Sequence, residues 1–176
     1  MSERRRPAEP VPSEQGFTLI ELIVVIALIS ILLFFSFPRF QGSVLRDDSE
    51  KSMRWVIYTV KMLRQDAVKH RKIHTLHVEM RTGTMWSTNE SMSEEDLENA
   101  RQQGYEFPEG MEILDVEFPD GEKISFGQAE VRFYPKGYSD RVMIHLQEKD
   151  DRQLTLLIEP FLADLKIYDT YVEFKN

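Results

Sequence analysis

Hydrophobic and polar positions divide the chain into three regimes. From Phe17 to Pro38, FTLIELIVVIALISILLFFSFP, apolar side chains would cover every face of a helix, broken only by Thr18, Glu21, Ser30 and Ser36 before the closing proline. At about 1.5 Å per residue such a helix reaches roughly 33 Å, against a bilayer core of about 30 Å. Apolarity on all sides predicts a membrane helix rather than a core helix with one buried stripe. A secretory signal peptide is the nearest rival, but its apolar region is shorter and ends at a small-residue cleavage site, and no such site follows this run.

After Phe40 the pattern becomes one-sided. Met53, Val56, Ile57, Val60, Leu63 and Ala67 recur at helical spacing with charged residues between them, which predicts an amphipathic continuation over 39–72. A helix from Phe17 to about Val68 would run close to 80 Å, and its lower half needs a covering domain. Lys69, His70, Arg71 and Lys72 collect where cations suit a helix C-terminus.

From Ile73 the period is two. His74–Met80 alternates, 81–83 reads as a turn and 84–87 as a returning strand. Ser93 three residues before Asp96 predicts a capped helix over 94–103, in a stretch whose order the pattern leaves open. Further strands are predicted at 111–118, 122–126, 129–134, 141–147 and 153–159, with one or two more in 165–174. The expected fold is α+β: a long N-terminal helix packed against an antiparallel β-sheet domain at 73–176.

Composition narrows the chemistry. The 176 residues include 22 Lys+Arg, 30 Asp+Glu and no cysteine, which excludes disulfides, Cys-ligated metals and thiol nucleophiles. The formal charge of −8 argues against phosphate-backbone binding, so nucleic acid is not an expected partner. Seventeen hydrophobic residues lie within 17–38, and the acidity belongs to residues 39–176.

Residues 1–16 form a polar leader with Arg4, Arg5 and Arg6 that ends at Gly16 against the apolar run. Gly16-Phe17-Thr18-Leu19-Ile20-Glu21-Leu22 resembles the cleavage and methylation site of type IV pilins and type II secretion pseudopilins. The resemblance implies that a prepilin peptidase removes 1–16, that Phe17 becomes the N-methylated first residue, and that the helix stays in the bacterial inner membrane as a single pass with 73–176 in the periplasm. Pro38 falls where many members carry a helix-kinking proline. An intramembrane carboxylate costs about 2.5–3.5 kcal/mol on insertion scales, so Glu21 calls for a partner. In the family that Glu pairs with the new N-terminal amine of a neighbouring subunit. The alternative keeps Glu21 solvated at headgroup depth, near a helix start that suits negative charge.

A second resemblance, to the minor pseudopilin H group and related minor pilins, rests on Gln65-Asp66-Ala67-Val68 and on Val131-Arg132-Phe133-Tyr134-Pro135-Lys136-Gly137-Tyr138-Ser139. The C-terminus departs from it: where relatives end on a T-G-R turn and a short strand, this chain reads Phe161-Leu162-Ala163-Asp164-Leu165 and runs on to Asn176.

Catalytic signatures are missing: no G-x-S-x-G, P-loop, G-x-G-x-x-G or H-E-x-x-H occurs. His70, His74 and His77 are the best metal candidates, but the helix is expected to end between them. Asp150, Asp151, Asp164 and Asp169 do not form a dense calcium loop. No cofactor or metal is therefore expected. Tyr134 and Tyr138, flanking a Pro-Lys-Gly loop, are candidate contact residues. The expectation is a minor pseudopilin helping to export folded proteins. Its implied partners are prepilin peptidase, other pseudopilins and secreted substrates. A minor pilin of a type IV pilus is the alternative, and an anchored enzyme a distant third.

Overall fold

The structure, a computed structural model, describes residues 18–149 and 151–175, and of residues 33–48 only the helical backbone. The leader 1–16 and Phe17 lie outside the described residues, and Pro38 lies in the stretch of which only the helical backbone is described. The chain divides into two units, Met1–Ser43 and Val44–Asn176. Helix α1 spans Leu19–His70. In the first unit its side chains from Leu19 to Leu32 are exposed. In the second, Val56, Val60, Leu63 and Ala67 are buried, so the stripe expected from spacing is the face that packs.

Helix α1 ends two residues before the expected boundary at 72. Arg71 takes the left-handed conformation (φ 56°), and the Lys72 amide donates to the Ala67 carbonyl at 3.3 Å. This is a Schellman-type stop without its usual glycine.

Beyond it come β1 (His74–Glu79), β2 (Thr84–Asn89), α2 (Glu94–Gln102), β3 (Tyr105–Glu106), β4 (Met111–Glu117), β5 (Lys123–Ile124), β6 (Gln128–Phe133), β7 (Val142–Glu148), β8 (Gln153–Ile158) and β9 (Lys166–Tyr168). They build two sheets, ordered β3-β2-β1-β6 and β5-β4-β7-β8-β9, with every pairing antiparallel. Leu76, Val78, Met85, Val131 and Phe133 from the first sheet join Ile113, Val116, Ile144, Leu146, Leu154, Leu156 and Ile158 from the second in one buried cluster with the α1 stripe. The period-two alternation of β6, exposed then buried along its length, shows why its sequence reads as a strand with one face in this core.

Several boundaries differ from the sequence reading. Strand β2 runs on to Asn89 because it pairs with the whole of β1, Asn89 opposite His74. Strand β3, not expected, is held by Tyr105, whose ring stacks on Trp55 at 4.4 Å and whose hydroxyl lies 2.9 Å from that of Ser52. The stretch 94–103 folds as α2, with Ser93 and Asp96 closing the expected capping box. The C-terminus yields one three-residue strand, because beyond Tyr168 the tail bonds to polar side chains instead of a ladder.

Placing glycine at position 71 removes the cost of a left-handed arginine, so Arg71→Gly is expected to raise unfolding stability by about 1 kcal/mol, read from denaturant titration.

Candidate assembly site

The amino-terminal end of the site is a capped helix start. Thr18 Oγ1 accepts from the Glu21 amide at 3.3 Å and the Thr18 carbonyl accepts from the Leu22 amide at 3.2 Å, so Thr18 is the N-cap and Glu21 the third helical residue. The T-x-x-E spacing is also that of a capping box. Negative charge at this position complements the helix dipole. The Glu21 carboxylate has no partner among the described residues. Leu19 and Ile20 are 80 % and 72 % exposed, and Leu22, Ile23, Val24, Ile26, Leu28, Ile31 and Leu32 are also exposed.

Among the described residues, no helix is long and apolar enough to cross a membrane. The described apolar side chains, Leu19 to Leu32, extend for about 21 Å. The spanning length expected from the sequence takes in residues 33–38, whose side chains are not among those described.

The second part lies in the sheet unit, where Arg64 of α1 reaches two loops. Its Nη1 donates to the Pro160 carbonyl and, at 3.4 Å, to that of Gly137; its Nη2 donates to Ser139 Oγ at 3.1 Å and the Glu159 carbonyl at 2.9 Å. Burial lowers the guanidinium's pKa from its ordinary value. Gly137 holds φ 89°, which lets the chain turn so that the Gly137 amide donates to the Tyr134 carbonyl at 2.9 Å and the Tyr134 amide to the Tyr138 carbonyl at 2.8 Å.

This turn brings the two candidate tyrosines together. Their rings stack at 4.6 Å, and Tyr138 lies 6.1 Å from the ring of Phe161, which is 83 % exposed. Tyr134 is tied down, its hydroxyl donating to Asp140 at 3.0 Å; burial first, then this bond, raises its pKa. Tyr138, Phe161 and the adjacent Leu162 carry the outward apolar surface. Sequence reasoning missed Arg64 and Phe161. Arg64 could have been found, since it stands four residues after Val60 and three before Ala67, a cation on the margin of the buried stripe.

The three histidines do not form a cluster. His70 closes α1, and its ring lies 6.0 Å from that of His74 at the start of β1. His77 projects from the sheet against Trp86 and lies 2.7 Å from Thr88 Oγ1 through Nε2 and 2.8 Å from Gln128 Nε2 through Nδ1. Burial lowers its pKa, partly opposed by Glu130. Among the described residues, no group of three His, Asp or Glu is placed to hold a metal. Asp150 is not among the described residues, Asp151 accepts from Gln147, and Asp164 lies 3.9 Å from Lys61.

Comparison with known proteins bears on the N-terminal segment and on the fold. Residues 12–37 match the prokaryotic N-terminal methylation motif, an interval that contains Gly16, Phe17 and Glu21 and stops one residue before Pro38. A crystal structure of the minor pseudopilin EpsH from the type II secretion system of Vibrio cholerae aligns at TM-score 0.50 and 11% identity, over 72% of this chain and 97% of that one. The protein joins a pilin-like fold to an N-terminal methylation motif. Another structure of the Vibrio cholerae EpsH aligns at TM-score 0.47 and 12% identity, over 69% of this chain and 97% of that one. No curated protein matches the sequence.

Arg64→Gln removes a charged fork from four acceptors, an expected loss of about 3 kcal/mol in denaturant unfolding. Arg64→Lys is expected to recover only part of it, because an ammonium lacks the planar fork.

Proposed function

We propose that this protein is a minor pseudopilin of a type II protein secretion system, matured by prepilin peptidase and assembled at or near the tip of the periplasmic pseudopilus to help export folded proteins. The observation that carries the reading is the methylation motif at 12–37, which takes in a helix whose described apolar side chains are exposed. In the inner membrane, lipid covers residues 17–38. In the fibre, the helices of neighbouring subunits replace it, so that transfer between the two trades one apolar surrounding for another at little cost.

Peptidase cleavage between Gly16 and Phe17 on the cytoplasmic side creates an ammonium at Phe17, later N-methylated. That cation on one subunit meets Glu21 of the next, and the pairing relieves both buried charges when register is correct. Pro38 introduces a bend where the helix leaves the apolar region. Tyr138 and Tyr134, joined by Phe161, give the head a lateral contact with neighbouring subunits. The expected partners are thus other pseudopilins, prepilin peptidase, the inner membrane and secreted substrates.

Gly16→Ala is expected to block maturation, leaving a precursor that mass spectrometry detects with residues 1–16 attached; normal processing would contradict the cleavage assignment. Glu21→Ala should process normally but reach purified fibres in clearly reduced amount, measured by immunoblot, while the sheet unit stays folded. Crosslinking from Tyr138 to pseudopilins supports the secretion reading, and crosslinking to pilus subunits would assign the chain to a type IV pilus instead.

A further inference from the structure

We propose that the groove between α2 and the outer face of the β3-β2-β1-β6 sheet is a docking site for an arginine-bearing segment of another protein. Its floor is the ring pair of His77 and Trp86, stacked at 5.1 Å and tilted by only 10°. Its wall is the α2 face that carries Glu94, Leu97, Glu98 and Arg101. Both tryptophans of the chain border this helix, since Trp55 and Trp86 line a second groove on its other side, next to Ala100 and Gln103.

The sequence of α2 explains why a groove is left. Its one large apolar side chain is Leu97, with Ala100 three residues on, too narrow a stripe to seal a sheet face. None of its residues is buried, and Leu97 is 40 % exposed beside a Trp86 that is 7 % exposed. The helix is held at its ends instead. Ser93 and Asp96 close the capping box at one end. At the other, Gly104 lets the chain press on β2, where a Cβ would stand 2.8 Å from Thr84 Cγ2 and 3.2 Å from the Met85 carbonyl oxygen.

Charge selects the occupant. Residues 90–109 hold seven acids against Arg101 as their one base, a net −6 in a chain of −8. Glu94 and Glu98 bring that charge to the groove wall. The floor adds no cation: Gln128 Nε2 only donates, so His77 Nδ1, 2.8 Å away, accepts and the ring is neutral. An aromatic floor beside carboxylates suits a cation, and arginine fits it better than lysine, because a flat guanidinium stacks on rings while its fork meets carboxylates. The chain already makes this contact once, with the Arg101 guanidinium over the Trp86 ring, 5.8 Å from its centroid. A groove of about 320 Å³ stands at the foot of the range for small-ligand pockets and matches the side chains of a passing segment.

The test is tryptophan emission of the full chain in nonionic detergent micelles, titrated with short capped peptides that alternate leucine with arginine, lysine or glutamate. The arginine peptide is expected to shift the emission and saturate, and to bind more weakly as salt rises. The lysine peptide should bind at least about threefold more weakly than the arginine one, and the glutamate peptide should leave emission unchanged. Glu94→Gln combined with Glu98→Gln should weaken the arginine peptide at least about threefold. Both side chains are exposed, and should the double variant lose its fold, the contrast between arginine and lysine peptides on the wild type decides. No saturable response into the millimolar range, equal binding of arginine and lysine peptides, or unchanged affinity in the folded double variant overturns the proposal. An emission shift that grows with protein concentration alone assigns the groove to a second copy and overturns it as well.

Discussion

An uncovered apolar surface is the constraint on which the rest of this structure depends. The fourteen residues from Leu19 to Leu32 are all exposed, and all but Glu21 and Ser30 are hydrophobic. Water cannot be their working environment, since each large side chain left exposed forfeits about 1.5–3 kcal/mol relative to burial. Burial of such a surface needs an apolar surrounding. The sheet unit, by contrast, satisfies its own stripe internally: Val56, Val60, Leu63 and Ala67 are fully or almost fully buried against both sheets. One helix therefore carries two kinds of hydrophobic face, one buried within the sheet unit and one exposed.

Much of this could be read from residues alone. The change from all-round to one-sided apolarity located the two parts of α1, and the period-two runs located β1, β4, β6, β7 and β8 to within a few residues, because each has one face in the core. Weak local signals hid the remainder. Strand β3 is two residues long and owes its position to Trp55 and Ser52, some fifty residues earlier, a tertiary contact that periodicity cannot carry. Arg71 is a poor left-handed residue by propensity, and the end of α1 was set by a hydrogen bond to Ala67.

The site divides in the same way. Gly16, Phe17 and Glu21 stand out because a glycine, an aromatic and a lone carboxylate abut an apolar run. Tyr134 and Tyr138 were visible as aromatics around a turn, and they do meet, but one is anchored through Asp140 while Phe161, from another loop, supplies the exposed partner.

Arg64 has a mechanical meaning as well. Its guanidinium grips the loops at 137–139 and 159–160 from the side of a helix whose backbone ladder stiffens it lengthwise. Traction applied along that helix is passed sideways through four short polar struts to the aromatic ridge, instead of being borne by oily contacts that slide. Within the sheet unit, the loops that meet the outside are thereby tied to the helix they pack against.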